Sequence, residues 1–365
     1  MHVLLDGRGA VANVSWVMEE ISGAATERHA KGRDRGTPPL LDGFGRRHTY
    51  LRVSVTDRCD LACIYCTPPE GEVDHTRRPD LLTFEELARV VTVFAGVGVE
   101  RVRFTGGEPL VRKDFLQMVE LVRRRTGLRD LRMTTNASRL APFAAPLARA
   151  GIRGVNISLD SLDPERFRYV TRGGSLEVTL EGIHAAVDAG MKVKLNAVVL
   201  GGVNDDELGR LVDFAWEIGA TPRFIELMPI GYAAGLRRET FMPIARVVGL
   251  LGDRVEPDAW RSPPGRGPAR YLPAADGSDR RVGFITAMSE HFCGDCNRLR
   301  VTASGEIRPC LASPSGAPLR ALLRSGASDS ELADAIRSAI ADKGKGHRMG
   351  EGHAPVPIGM SSIGG

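Results

Sequence analysis

Residues 51–66 read LRVSVTDRCDLACIYC, from Leu51 to Cys66. Leu51 to Val55 is β-branched and alternates apolar with polar side chains, the pattern of a strand whose two faces meet different surroundings. The strand runs directly into a loop bearing Cys59, Cys63 and Cys66, a CxxxCxxC spacing. Three thiolates from one loop can hold three corners of a [4Fe–4S] cube, whose full ligation takes four. The fourth iron is then open, and an open metal position marks a catalytic site, by the logic that separates catalytic from structural zinc.

Working outward, short β-branched runs alternate with longer helical patterns: Thr83 to Phe94, Val102 to Thr105, Phe115 to Arg125, Leu131 to Thr135, Val155 to Leu159, Leu176 to Ala189, Val193 to Leu200, Asp205 to Ile218 and Arg223 to Met228. A βα repeat of this kind implies crossovers and a parallel sheet, closed or partly closed, with its chemistry at the carboxyl ends of the strands. Thr105, Gly106, Gly107, Glu108, Thr134, Asn136, Ser158, Asp160, Asn196, Glu226 and Met228 all lie in or close such strands. Arg103 and Lys194 fall inside apolar strand patterns, where an unpaired charge is costly, so a functional role is favoured for both.

The rhythm breaks after about residue 232. A Gly/Pro-rich loop at Pro263 to Pro268 precedes short strands around Val282 to Thr286 and Leu299 to Thr302, and between them lies a second triplet: Cys293, Cys296 and, further on, Cys310. These again offer three ligands, enough for a second [4Fe–4S] cluster with one free iron. Arg298 and Arg300 beside it suit bidentate contact with phosphate or a purine edge. A zinc ribbon completed by His291 is the competing reading.

All six cysteines of the 365-residue chain belong to the two triplets. The length and a 42% hydrophobic content allow a full core, the net charge of +4 is mild, and no apolar run approaches a membrane span. Asp6, Arg8, Glu19 and Glu20 interrupt the amino terminus, unlike a secretory leader, so the cytoplasm is the expected location and disulfides are disfavoured. Residues 1–40 read as a poorly ordered extension with a short helix around Trp16 and Met18.

The first triplet with Tyr65 before its last Cys, together with the run Phe104-Thr-Gly-Gly-Glu-Pro109, resembles the radical S-adenosylmethionine (SAM) superfamily. The segments LRVSVTDRC, RFTGGEPL, NISLDSLD, RFIELMP and FCGDCNRLRVT and the terminal Ile363-Gly364-Gly365 narrow the resemblance to the GTP 3′,8-cyclase (molybdenum cofactor biosynthesis protein A) family, from Asp42 to the end. The resemblance implies an α/β fold: a partial (βα)-barrel over 41–231 and a C-terminal α+β domain over 232–365 that carries the second cluster and the GTP site. It implies two [4Fe–4S] clusters, on Cys59, Cys63 and Cys66 and on Cys293, Cys296 and Cys310. SAM would meet Tyr65, Gly107, Glu108, Ser158 and Met228. GTP would meet Arg52, Arg103, Thr134, Lys194, Arg298, Leu299 and Arg300, with Arg223 a further candidate for phosphate. The first triplet, Arg298 and Arg300 would stand nearest the chemistry, and the Gly-Gly tail would reach into the site.

The activity so implied is that of a lyase closing GTP to (8S)-3′,8-cyclo-7,8-dihydroguanosine 5′-triphosphate, the first step of molybdenum cofactor biosynthesis. Its partners would be a one-electron donor and a downstream cyclic pyranopterin monophosphate synthase, with a homodimer among the family's forms and no role for nucleic acid or membrane. Asp60, Thr67 and Ala137 depart from the family's Asn, Met and Gly. They are loop positions beside ligands, where altered packing is expected rather than lost chemistry. Two other readings make different predictions. A peptide-modifying two-cluster radical SAM enzyme needs no triphosphate-binding cations, and a zinc-binding interaction protein needs neither SAM nor glycines at 106, 107, 364 and 365.

Overall fold

The two-residue alternation of Leu51 to Val55 recurs along the strands that build the site, and it sorts their side chains into a core face and a polar face. The computed structural model describes residues 39–68, 75–262, 267–313, 316–349 and 359–363. The expected extension up to residue 38, most of the Pro263 to Pro268 loop and the terminal Gly364 and Gly365 lie outside the described residues. Leu40 is buried in the core, so the packed chain begins no later than that residue.

Six strands, β1 (Tyr50–Ser54), β2 (Arg101–Thr105), β3 (Asp130–Thr135), β4 (Ile152–Ser158), β5 (Lys192–Val199) and β6 (Thr221–Glu226), pair in parallel in chain order. Five more follow: β7 (Arg270–Pro273), β8 (Arg281–Ile285), β9 (Arg298–Val301), β10 (Glu306–Arg308) and β11 (Ala317–Pro318). β8 adds in parallel to β6, and β9 adds in parallel to β1. The strand order is β11-β10-β9-β1-β2-β3-β4-β5-β6-β8-β7, an open, partial barrel. The strands after residue 232 thus extend both edges of the same sheet, and this is what brings the second Cys triplet back beside β1.

Helices α1 (Phe84–Gly96), α2 (Phe115–Thr126), α3 (Ala144–Ala150), α4 (Pro164–Thr171), α5 (Leu176–Asp188) and α6 (Leu208–Glu217) occupy the connections between β1 and β6. Thr83 and Glu86 form a reciprocal capping box that starts α1, a feature worth about 1 kcal/mol. α3 and α4 were not expected from the sequence pattern. Both are short, although Asp163 capping α4 just before Pro164 is a legible start signal. Leu51, Val53, Val102, Phe104, Leu131, Met133, Val155 and Ile157 point to the core with Leu87, Phe94, Met118 and Leu147 of the helices. No described helix is long and apolar enough to cross a membrane.

Candidate active site

The alternate residues of the same strands line a cavity of about 320 Å³: Arg52 on β1, Arg103 and Thr105 on β2, Arg132 and Thr134 on β3, Asn156 and Ser158 on β4, Lys194 and Asn196 on β5, Arg223 on β6, Arg298 and Arg300 on β9. Parallel register makes a row of these cations. Arg300 is opposite Arg52, Arg52 opposite Arg103, and Arg103 opposite Arg132. All six cysteines border the same cavity, and all six are free thiols.

The first Cys loop is fixed along its length. The Arg58 carbonyl accepts from Glu108 N–H at 2.8 Å, Ala62 and Ile64 donate to the carbonyls of Thr171 and Val170 at the end of α4, and Arg172 donates to the Thr67 and Pro68 carbonyls. Gly107 lies against this loop so closely that a Cβ there would stand 2.2 Å from the Arg58 carbonyl oxygen. Only glycine permits that approach. Burial pushes the Cys59 thiol up to about 12 and raises Cys63 and Cys66 as well. Burial also acts on Cys296, but Arg298 and Lys343 outweigh it and bring that thiol down to about 6.

These donor sets fit the groups that the sequence implies. Each triplet offers three sulfurs from one short stretch or one hairpin, both face one cavity, and a backbone cradle at Gly106 and Gly107 adjoins the first. Cys59, Cys63 and Cys66 would hold the SAM-binding cluster, Cys293, Cys296 and Cys310 the second.

Of the residues expected to meet SAM, Tyr65, Gly107, Ser158 and Met228 reach the cavity. Glu108 does not. Its buried carboxylate accepts from the N–H of Leu110 and Asn136 and from the Thr135 hydroxyl, tying the loop after β2 to the loop after β3. Burial drives its carboxyl up to about 7. Leu299 is likewise off the cavity wall, fully buried on the opposite face of β9 from Arg298 and Arg300. Arg52, Arg103, Thr134, Lys194, Arg223, Arg298 and Arg300 all line the cavity. The Thr134 hydroxyl is buried and has no hydrogen-bond partner among the described residues, as expected of a group awaiting a ligand.

The cations press on one another. Burial lowers Lys194 to about 6, helped by Arg223, Arg103 and Arg132, and among the described residues its ammonium reaches the Tyr271 hydroxyl, at 3.2 Å. Burial alone would raise Tyr50, but Arg103 and Arg52 draw its phenol down to about 7. Gly364 and Gly365 are not described, yet the residues just before them enter the site: Met360 and Ser361 line the cavity, and the Ile363 carbonyl accepts from Arg300.

Sequence reasoning passed over Tyr50, Arg132, Lys343 and the role of Asp160. Asp160 accepts from the Tyr65 hydroxyl at 2.7 Å and from Val198 N–H, which fixes the ring just before Cys66. Arg132 carried the same signal as Arg103, a cation between two core residues, Leu131 and Met133. Asp60, one of the family departures, accepts from Asn136, Ser138 and Arg139. Burial works against it, but these bonds hold its carboxyl below the usual carboxylate range.

Residues 53–215 match the Radical SAM superfamily model and residues 220–349 the Molybdenum Cofactor Synthesis C model. The chain is 47% identical over 314 residues to the GTP 3′,8-cyclase of Paracoccus denitrificans (strain Pd 1222), covering 85% of this chain and 90% of that one. It is 46% identical over 331 residues to the GTP 3′,8-cyclase of Heliobacterium modesticaldum (strain ATCC 51547 / Ice1), covering 89% and 100%. Among solved structures, Streptococcus suis SuiB bound to S-adenosylmethionine superposes with a TM-score of 0.53 at 18% identity, over 80% of this chain and 68% of that one, a likeness of fold. Two Cys triplets on one cavity, a cationic strand face and relatives this similar over nearly their whole length lead to one assignment: the chain belongs to the GTP 3′,8-cyclase family of radical SAM enzymes.

Proposed function

We propose that this chain cyclises GTP through the residues just described. The observation that carries the reading is the row of cations on neighbouring strands, Arg300, Arg52, Arg103 and Arg132, joined by Lys194 and Arg223 on the wall that both Cys triplets share. Bound at the first triplet, the cluster and SAM supply a 5′-deoxyadenosyl radical, chemistry that belongs to the cofactor. The protein's part is placement. Tyr65, locked by Asp160, and the Gly106-Gly107 cradle hold SAM beside Cys59, Cys63 and Cys66. Guanidinium groups and Lys194 take the triphosphate, and the Thr134 hydroxyl offers a donor to the nucleotide. Arg298 and Arg300 lie between that site and the second triplet, where they fix the guanine end. Holding C3′ of the ribose and C8 of the base near contact is an orientation task, worth roughly 7–11 kcal/mol of barrier at its upper range. The reading further calls for a one-electron donor and for a separate cyclic pyranopterin monophosphate synthase to take the product onward.

The test is anaerobic. The chain is reconstituted with iron and sulfide, given dithionite and SAM, and 5′-deoxyadenosine is followed by mass spectrometry with and without GTP. Cleavage stimulated by GTP, with GTP converted to a product of equal mass, is the expected result, and cleavage indifferent to GTP removes GTP as substrate. Arg298→Ala should keep iron at both triplets yet lower GTP-dependent turnover by about 10- to 100-fold, the loss of one charge-assisted contact.

A further inference from the structure

Lys343 lies in the segment that follows the helix Asp329–Ala341 and is 3% exposed. Its ammonium donates to the Arg298 carbonyl at 2.8 Å and reaches the Cys296 sulfur at 3.5 Å. No ion pair with a carboxylate is found for it among the described residues. A buried ammonium is costly unless an anion or strong acceptors meet it, and the group its position offers beside the Arg298 carbonyl is the Cys296 sulfur.

The segment is clamped in place. One guanidinium, that of Arg46, donates to the carbonyls of Lys343, Gly344 and Lys345 and to the Cys293 carbonyl, while its Nε is held by Asp42 at 2.6 Å. Asp42 in turn meets the buried His48 at 3.0 Å. Arg46 thus joins the start of the packed chain, the second Cys loop and the segment of Lys343.

We infer that Lys343 is a positioning residue for the second triplet: clamped by Arg46, its charge stabilises the Cys296 sulfur and the reduced form of a cluster bound there, raising that cluster's reduction potential. The inference rests on the two-cluster reading. Hydrogen bonds to cluster sulfurs, local charge and solvent exposure set such potentials, and Lys343 supplies the first two. The bond to the Arg298 carbonyl couples the same ammonium to the strand that presents Arg298 and Arg300.

The experiment is a redox titration, followed by electron paramagnetic resonance, of the full reconstituted chain with both clusters; added SAM perturbs the first cluster and so separates the two signals. Lys343→Gln keeps a donor for the Arg298 carbonyl and removes the charge. Its second cluster should be about tenfold harder to reduce, a fall of about 59 mV for a one-electron couple. Lys343→Arg should restore the midpoint, and the first cluster should not move. Selective loss of iron from the second triplet in Lys343→Gln, restored by Lys343→Arg, also supports the role. A fully loaded Lys343→Gln with an unchanged midpoint overturns it, as does a defect that arginine does not rescue. Wild-type protein that loads only one cluster defeats the two-cluster reading itself, a result distinct from either.

Discussion

Gly107→Ala tests the geometry of the first Cys loop with a single methyl group. A Cβ at this position would lie 2.2 Å from the Arg58 carbonyl oxygen, 2.5 Å from the Arg58 carbonyl carbon and 2.9 Å from the Cys59 nitrogen. Relieving the worst of these to ordinary contact takes roughly 1 Å of movement. All three atoms are backbone, so no side chain can swing aside, and the Arg58 carbonyl is pinned by Glu108 N–H. Overpacking of this kind costs about 1–3 kcal/mol, and straining that hydrogen bond adds about 1 kcal/mol. The displaced residue is Cys59 itself, and a shift near 1 Å at a reacting centre can cost about 10²-fold in rate. The expected variant binds less iron at the first triplet, keeps the iron of the second, and cleaves SAM about 10²-fold more slowly with GTP present. Iron analysis, cluster spectroscopy and the rate of 5′-deoxyadenosine release read these directly. Gly249→Ala is the control: its helical Cβ meets nothing within 4 Å, so stability should hold or rise by about 0.5–1 kcal/mol. Native iron content and native turnover in Gly107→Ala would refute the close approach.

Lys194, lowered to about 6, is mostly neutral at pH 8, and a triphosphate beside it favours the charged form. GTP binding at pH 8 should therefore take up close to one proton, seen by calorimetry in buffers of differing ionisation enthalpy and abolished in Lys194→Met; binding without uptake would place Lys194 outside the site. Glu108 titrates near 7 in the folded chain against 4.5 as its ordinary value, so its stabilising contribution is full below about pH 4.5 and is lost as pH rises through 7. Glu108→Gln should flatten the decline of the unfolding midpoint between pH 5 and 8 and lie about 1–3 kcal/mol lower, since its amide must face a backbone N–H; equal pH slopes would count against it. Ala137 sits at φ 64°, a left-handed conformation costing about 1–2 kcal/mol. Ala137→Gly trades that strain for chain entropy and a buried methyl, so urea midpoints should agree within about 1 kcal/mol and SAM affinity should be unchanged; a large gain in affinity would show that the methyl distorts the loop.

How far the sequence could be read depended on how local the signal was. Leu51 to Val55 announced a two-faced strand because alternation is set by neighbours in the chain, and the same rule predicted that Arg103 and Lys194 leave the core. Arg132, between the core residues Leu131 and Met133, carried the same signal and was passed over. α3 and α4 escaped because seven- and eight-residue helices carry too few turns for a clear apolar stripe. Glu108 was placed against a ligand by the motif that contains it, whereas its bonds to Thr135 and Asn136 depend on a loop one strand away. Lys343 had no local signal at all. Its role exists because Arg46 and Cys293, 247 positions apart, share a guanidinium, and no pattern within a window of sequence reports such a contact.

The cavity's electrostatics argue for an anion from what the fold withholds. Neighbouring strands lie about 4.8 Å apart, so Arg300, Arg52, Arg103 and Arg132 form a row roughly 15 Å long, and like charges in facing registers destabilise a sheet. A structural design would place carboxylates between them, as β3 does once: Asp130 pairs with both Arg101 and Arg132. Elsewhere the acids are committed. Glu226 accepts from the N–H groups of Ile244, Met288 and Ser289, and Asp160 is held by Tyr65 and Val198. Arg103 bonds to the Tyr50 phenol and the Met133 carbonyl, Arg223 to the Asn196 amide oxygen, and Lys194 to the Tyr271 hydroxyl. The partners of Arg223 and Lys194 orient them without supplying a carboxylate countercharge. Burial, joined by Arg223 and Arg103, depresses Lys194, the positive potential of Arg103 and Arg52 draws the Tyr50 phenol down, and a polyanion such as a triphosphate is the ligand whose binding would relieve this crowding of cations.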